Sequence, residues 1–298
     1  TGAALVAGNT VVIKPASDTA WIVRLYAECL RDAGFPPGVF NFVTGPGSTV
    51  GQALVDSPEV DGVTFTGSFD VGMKMYRDFA NRNHVRPIVL ELGGKNPAIV
   101  SRNANLEDAA TGIYRSAFGL QGQKCSAASR ILVEEPVYDE LLAKLKSKVD
   151  SLVIGDPTER ATYIGPVVNQ NSYNEFKNFT EEINQAGGRF LTGGNVKSGG
   201  MYDYGYYCEP TLVTNLPFEH RLWKHEMFLP IATIGKVKNL DEAMTIANDV
   251  NYGLTAGFYG SQKESAWFFD NIQAGVTYAN RPQGATTGAW PGFQPFGG

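Results

Sequence analysis

Over the first ninety residues short apolar runs alternate with helical periodicities, the pattern of βαβ units feeding a parallel sheet. Thr10 to Ile13 reads as a strand. Ile22, Leu25, Tyr26, Cys29 and Leu30 recur at i, i+3 and i+4, so the spacing predicts a helix capped by Ser17 or Asp18, ended by Gly34 and Pro36-Pro37, and burying Cys29. Val39 to Val43 reads as a second strand, followed by GPGSTVG at 45–51 and a helix through Leu54. Gly62 to Phe65 reads as a third strand, with a helix opening at about Val71, and Pro87 to Leu90 as a fourth that delivers Glu91. Lys14, Gly45, Gly67 and Glu91 thus stand at carboxyl ends of strands, where open α/β sheets bind ligands, and the four ends are expected to face one crevice.

After Gly94 the helices and strands lengthen. Pro136 starts an amphipathic helix with Leu141, Leu142, Leu145, Val149 and Leu152 on one face. A domain boundary is expected near residue 93. No internal repeat is visible, and the glycine-rich stretches 193–200 and 284–298 are too short to link further domains.

Composition narrows the function. With 298 residues, 43% hydrophobic and 18% charged, the chain can bury a substantial core. A net charge of −5 and no basic run argue against nucleic acid, which leaves small molecules as partners. No apolar stretch is long enough for a membrane helix, and TGAALVAGN lacks the basic start of a signal peptide, so a cytosolic protein is expected. Three distant cysteines suit a reducing compartment without disulfides. His84, His220 and His225 do not cluster with them, so no metal is expected.

The candidate chemistry lies in GLQGQKCSAASR and VLELGGKNP. Cys125 is flanked by Gly122, Gln123, Lys124, Ser126 and Ala127, small or polar residues that place the thiol in a turn whose amides can stabilise an anion. A thiol with a pKa of about 8.5 is a few per cent thiolate at neutral pH. Glu91 follows the apolar run Ile88-Val89-Leu90 and precedes two glycines, where a carboxylate is desolvated and a ligand can approach closely. A nucleophilic thiol and a separate carboxylate suit an aldehyde oxidised through a thioester that activated water then hydrolyses. Cys208, in GYYCEPTLV, has nothing beside it to lower its pKa and reads as structural. Gly67 and Ser68 end a strand and open a helix, a place for a pyrophosphate, whereas GPGSTVG is only a loose glycine-rich turn.

These motifs, with GNTVVIKPA, GFPPGVFNFVTGPG, VTFTGS, NDVNYGLTAGFY and the terminal QPFGG in the same order, resemble the aldehyde dehydrogenase superfamily along nearly the whole chain. The resemblance implies an α/β protein, with part of a Rossmann-like nucleotide domain at 1–92 and an α/β catalytic domain at 93–298. It assigns the nucleophile to Cys125 and the general base to Glu91. Lys14 would contact the adenosine ribose of NAD. Ser17 stands where a glutamate is usual, which removes a charge that repels a 2′-phosphate and leaves NADP open. Glu226 would bind the nicotinamide ribose and Phe228 pack by the ring, in an HEMFLP segment that departs from EEIFGP at His225, Met227 and Leu229.

Within the superfamily, GQKCSAASR and TTGAWPGFQPFGG most resemble the 1-pyrroline-5-carboxylate dehydrogenase family, which oxidises L-glutamate γ-semialdehyde. There Ser126 and the amides of Gly288 and Ala289 would hold the substrate carboxylate, and Phe296 would pack on its aliphatic chain. A dehydrogenase of another ω-oxo acid and a non-catalytic fragment are the alternatives. By the same resemblance the chain looks like a fragment, lacking the front of the nucleotide domain and a C-terminal strand through which the full protein would form a homo-oligomer.

Overall fold

The structure, a computed structural model, describes residues 1–81 and 85–285. His84 lies outside them. The elements run α1 (Gly2–Val6), β1 (Val11–Ile13), α2 (Ala20–Asp32), β2 (Phe40–Phe42), α3 (Gln52–Asp56), β3 (Val63–Thr66), α4 (Phe69–Ala80), β4 (Ile88–Glu91), β5 (Asn96–Val100), α5 (Leu106–Phe118), β6 (Ala128–Glu134), α6 (Tyr138–Asp150), α7 (Gln170–Gln185), β7 (Arg189–Thr192), β8 (Thr211–Thr214), β9 (Ile231–Val237), α8 (Leu240–Asn248), β10 (Thr255–Tyr259), α9 (Gln262–Asn271) and β11 (Val276–Ala279). They form two compact units. The smaller comprises Thr1–Thr64 and Lys74–Ile88, and the larger Phe65–Met73 and Val89–Gly298. Gly67, Ser68 and Glu91 therefore share the unit of Cys125.

In the smaller unit β1 and β2 pair in parallel, Val11 opposite Phe40 and Ile13 opposite Phe42. Strand and helix positions agree with the sequence pattern to within a residue or two, and Gly34 ends α2 with φ 85°, the left-handed conformation that glycine accepts. The burial of that helix does not agree. Cys29 is exposed, as are Trp21, Ile22, Leu25 and Tyr26, because a two-stranded pair of three residues each is too small to cover a thirteen-residue helix. The rings of Tyr26 and the strand residue Phe40 meet edge to face, with centroids 5.5 Å apart.

The larger unit is built on a seven-stranded sheet in the order β11-β10-β5-β6-β9-β8-β7, parallel except for the antiparallel β7 at one edge. Its central strands read as continuous apolar runs because both faces are covered. Ala98, Val100, Ile131 and Val133 pack with α5 and α6 on one face. Ile99 and Leu132, the alternate residues, pack with Phe176 and Ile183 of α7, Met244 of α8 and Phe268 of α9 on the other. In α6, Leu141, Leu145 and Val149 are buried as the spacing requires; Leu152 lies beyond its last residue, Asp150. Caps agree with local chemistry: Asn105, Asn169 and Asn239 accept from first-turn amides, and Ser261 with Glu264 forms a capping box. No helix among the described residues is long and apolar enough to cross a membrane.

Ile131, fully buried at the centre of this sheet, tests the core. Ile131→Ala should lower the unfolding free energy by about 2–5 kcal/mol, read from denaturant midpoints at constant m-value.

Candidate active site

The segment Leu92–Lys95 joins β4 to β5 without a helix between them, so it leads from the carboxyl end of one strand to the amino end of another. Glu91 closes β4, and the Gly67 amide donates to its carbonyl at 3.1 Å. Gly93 and Gly94 are required here by close approach. A Cβ on Gly93 would lie 2.0 Å from a carboxylate oxygen of Glu226, and one on Gly94 would lie 2.4 Å from the Cys125 carbonyl. Glycine thus lets three segments converge: the Glu91 strand end, the Cys125 turn and the Glu226 loop.

Cys125 occupies a turn just before β6, as its neighbours in the sequence imply. The turn is wound by Leu120, Gln121 and Gly122, with φ of 53°, 57° and 68°, three consecutive left-handed residues. Non-glycine residues in that region cost roughly 1–2 kcal/mol each, so the surrounding structure must hold them. Gln123 does part of this, its side-chain oxygen accepting from the Val168 amide at 3.0 Å. Asn96 does more. Its amide group donates to the carbonyls of Cys125 (2.7 Å) and Ala127 (2.9 Å), and its oxygen accepts from the Thr255 amide at 3.0 Å. Buried at the start of β5, it clamps the Cys125 turn to β10. Sequence reasoning missed it, although a polar residue opening a fully apolar strand in GGKNPAIV was the available signal.

The electrostatics correct one expectation. The Cys125 thiol is pushed above its ordinary pKa, first by burial and then by the charges of Glu91 and Glu226, while the backbone amides of Ser126 and Cys125 pull the other way. Less thiolate is present at neutral pH than an ordinary thiol would give. Two carboxylates and the sulfur therefore sense one another, and two amides face the sulfur. Cys208, buried beside Tyr207, is pushed up to about 12 by burial, as suits a structural thiol.

Glu226 is half-buried; burial raises its pKa, while the Gly94 amide, 2.8 Å from Oε1, and Lys95 lower it. Its loop is anchored by neighbours that alternate inward. Trp223, Met227 and Leu229 are buried, and Trp223 donates to the Leu216 carbonyl at 3.1 Å. Phe228 points outward, 44% exposed, with φ 54°. Leu229, which replaces the glycine of EEIFGP, does not carry the strained torsion; Phe228 does. The Leu229 carbonyl lies 2.3 Å from where a Cβ on Gly122 would stand, so this loop also seats the Cys125 turn.

Arg130, 1% exposed, donates to the carbonyls of Lys95 (2.8 Å), Ile246 (3.0 Å) and Ala247 (2.9 Å), tying the GGK turn to the last turn of α8. Burial pulls its pKa down to about 10. It too went unrecognised, although it stands in GQKCSAASR.

Gly67 and Ser68 are exposed immediately before α4, which begins at Phe69, two residues earlier than the pattern suggested. The ring of Phe69 meets that of Tyr252 at 5.6 Å. In the smaller unit, Lys14 donates to the carbonyls of Pro15 (2.6 Å) and Gly45 (3.5 Å), which brings two strand ends together, and Ser17 is exposed in a 3-10 turn. Ser126 is fully buried, and its hydroxyl has no hydrogen-bond partner. Gly288, Ala289 and Phe296 lie outside the described residues. No group of three or more potential metal ligands occurs among the described residues.

Comparison with known proteins places these features in context. The model of the aldehyde dehydrogenase family matches residues 1–298. The 1-pyrroline-5-carboxylate dehydrogenase 1 of Halalkalibacterium halodurans is 40% identical over 99% of this chain and 57% of its own length, and the 1-pyrroline-5-carboxylate dehydrogenase of Geobacillus kaustophilus 39% identical over 100% and 57%. A crystal structure of 1-pyrroline-5-carboxylate dehydrogenase from Thermus with bound NAD superposes with a TM-score of 0.88 at 36% identity, over 98% of this chain and 56% of that one. Betaine aldehyde dehydrogenase from Staphylococcus aureus in complex with NAD+ gives 0.87 at 30% identity, over 91% and 54%. The chain spans about half the length of the curated relatives it matches.

Two measurements check the geometry. Asn96→Ala removes three buried hydrogen bonds and should cost on the order of 3 kcal/mol of stability. Alkylation of Cys125 by iodoacetamide, which follows the thiolate, should rise with an apparent pKa above about 8.5 and shift downward in Glu226→Gln, where one repelling charge is gone.

Proposed function

The chain belongs to the aldehyde dehydrogenase family, and from that membership we propose that the protein of which it is part oxidises an aldehyde to a carboxylic acid with NAD or NADP, through a thioester on Cys125. The convergence of Cys125, Glu91 and Glu226 on the glycine turn is the observation that carries this reading. The aldehyde is L-glutamate γ-semialdehyde, supported by the names of the similar relatives and by Ser126, whose buried hydroxyl has no partner.

The residues present fit a nicotinamide dinucleotide. An exposed ring in strained backbone, Phe228, offers a surface for a planar group, Glu226 offers a carboxylate for ribose hydroxyls, and Gly67 and Ser68 stand at the amino end of a twelve-residue helix where phosphates bind. Lys14 and Ser17 would take the adenosine ribose. We read residues 1–92 as part of the nucleotide-binding domain and 93–298 as the catalytic domain. When bound, the dinucleotide supplies the hydride acceptor.

Cys125 attacks the aldehyde carbon as thiolate, forming the C–S bond of a thiohemiacetal whose oxygen takes up the charge. Since burial and two carboxylates keep the resting thiol protonated, the amides of Ser126 and Cys125 offset that penalty at the moment of attack. Loss of the aldehydic hydrogen as hydride restores the carbonyl as a thioester. Glu91 then takes a proton from water, the hydroxide adds to the thioester carbonyl, and the C–S bond breaks to release the acid and the Cys125 thiolate. Ser126, with Gly288 and Ala289, holds the substrate carboxylate, and Phe296 packs on its chain. A reducing cytosol suits a free catalytic thiol, and the complete protein is read as a homo-oligomer.

In the complete protein, Cys125→Ala should lower turnover below about a hundredth of the parent, a loss exceeding about 2.7 kcal/mol of transition-state stabilisation, while cofactor binding persists. Glu91→Gln should give a stoichiometric burst of NADH followed by slow turnover; normal steady turnover would remove it from deacylation. Ser126→Ala should raise KM for glutamate semialdehyde by about 1–3 kcal/mol in apparent binding, and less for an uncharged aldehyde of equal length. Equal efficiency of the parent toward both aldehydes would leave the oxidation and overturn the substrate.

A further inference from the structure

The chain leaves β11 through a turn at 280–285 that is held at nearly every residue. The Asn280 side chain exchanges hydrogen bonds with the backbone of Gly260, its nitrogen donating to the carbonyl at 2.9 Å and its oxygen accepting from the amide at 3.0 Å. Tyr259, the last residue of β10, donates its hydroxyl to the Arg281 carbonyl at 3.1 Å, and Arg115 of α5 donates to the Pro282 carbonyl at 3.1 Å. Ser116 of α5 accepts from the Ala285 amide at 2.7 Å, and its oxygen stands 3.3 Å from the hydroxyl of Tyr278 on β11.

Helix α5 is shaped to receive this turn. A Cβ on Gly112 would lie 2.0 Å from the Tyr259 hydroxyl and 2.4 Å from the Arg281 carbonyl, so a side chain there would displace the turn. Gly284, with φ 82°, meets the helix backbone directly: a Cβ on it would lie 2.9 Å from both the Gly112 carbonyl and the Ser116 amide. Ser116 is 2% exposed, so its hydrogen bonds form out of competition with water. A connection leaving the edge strand of a sheet needs none of this, because water satisfies an exposed turn. What α5 carries at its other end supplies a reason. The helix ends at Phe118 and runs into the turn that bears Cys125, nine residues beyond Ser116 (125 − 116). The proposed carboxylate donors Gly288 and Ala289 follow Ala285 by three and four residues (288 − 285 and 289 − 285), a tether of at most about 11–14 Å.

We propose that Ser116 is a positioning residue for substrate selection: by docking the turn at 280–285 on α5, it fixes the root of the carboxylate-binding segment relative to the Cys125 thiol and so favours an aldehyde with an acid at its far end. The inference rests on the reading of the substrate as L-glutamate γ-semialdehyde held through Gly288 and Ala289. One helix then serves as the common scaffold for both ends of the substrate. Ser116 takes no part at the reacting carbonyl, so its loss weakens the hold on the acid end and leaves the chemistry of the thiol intact.

The test uses the complete protein that carries this chain, with Ser116→Ala, which removes the acceptor of the Ala285 amide without adding bulk. Steady-state constants are measured for L-glutamate γ-semialdehyde and for pentanal, an uncharged aldehyde with the same number of carbons, together with alkylation of Cys125 by iodoacetamide and thermal melting. KM for the acid aldehyde should rise about tenfold, with kcat within about twofold of the parent. The constants for pentanal, KM for NAD and the pH profile of Cys125 alkylation should stay as in the parent, which a general loosening of the fold would not allow. Should Ser116→Ala fail to fold, Arg115→Ala, on the exposed side of the same helix, carries the same expectation at about threefold. A folded variant whose preference for the acid is unchanged overturns the proposal, whatever its melting temperature. Equal losses toward both aldehydes, or an altered alkylation profile, overturn it as well, since Ser116 would then serve the helix or the thiol. A parent with no preference for the acid overturns the substrate reading and the role of Ser116 with it, whereas a parent and a variant that prefer the acid equally overturn the role of Ser116 alone.

Discussion

Asn96 holds together what the rest of the site requires. A side-chain amide has two donors and an acceptor, and here both donors close on the carbonyls around Cys125 while the acceptor takes a strand amide from β10. The residue opens β5, so the clamp is rooted in a strand of the larger unit that is buried at every residue. The left-handed run Leu120–Gly122 is sustainable only with such support, because each strained torsion would otherwise relax and carry the thiol with it. Placing a thiol on a turn between a helix and a strand gives it reach. Tying that turn by its carbonyls gives it a fixed address.

Around this clamp the site gathers charge under cover. Burial raises Glu226 and the Cys125 thiol and lowers Lys95 and Arg130, so each of these four groups is pushed toward its neutral form. What opposes the push is local: backbone amides on the sulfur and on Glu226, carbonyls on Arg130, and the mutual attraction of Lys95 and Glu226. Arg130 is fully provided for and serves architecture. Lys95 is not, which separates two buried cations only 35 residues apart in the chain (130 − 95). Among the described residues four buried side-chain polar atoms have no partner, Lys95 Nζ, Ser126 Oγ, Ser129 Oγ and Arg281 Nε, and the first two belong to the segments that converge here.

The same backbone serves unlike aldehydes. Proteins named for 1-pyrroline-5-carboxylate and for betaine aldehyde superpose almost equally well on this chain, so the fold does not choose the substrate. Ser126, next to Cys125, lies between the two carbonyls that Asn96 holds, and its buried hydroxyl has no partner.

Periodicity alone determined much of this protein. The alternation of apolar runs placed β1 to β4 and the intervening helices within a residue or two, the face of α6 followed from its leucines, and small or polar neighbours located Cys125 in a turn. Those features are local, decided by residues within a few positions of one another. Tertiary structure decided the rest. Cys29 reads as buried from its helix spacing, yet it is exposed because burial depends on what the opposing layer can cover. The thiol of Cys125 carries a raised pKa first because folding buries it and then because Glu91 and Glu226, 34 and 101 residues away in the chain (125 − 91 and 226 − 125), add their charges. Asn96 and Arg130 are ordinary polar residues in a sequence and become determinants only when strands opened by distant segments bring carbonyls to them. Hydrophobic pattern is legible one residue at a time, whereas hydrogen-bond satisfaction and desolvation are properties of a neighbourhood that exists only after folding.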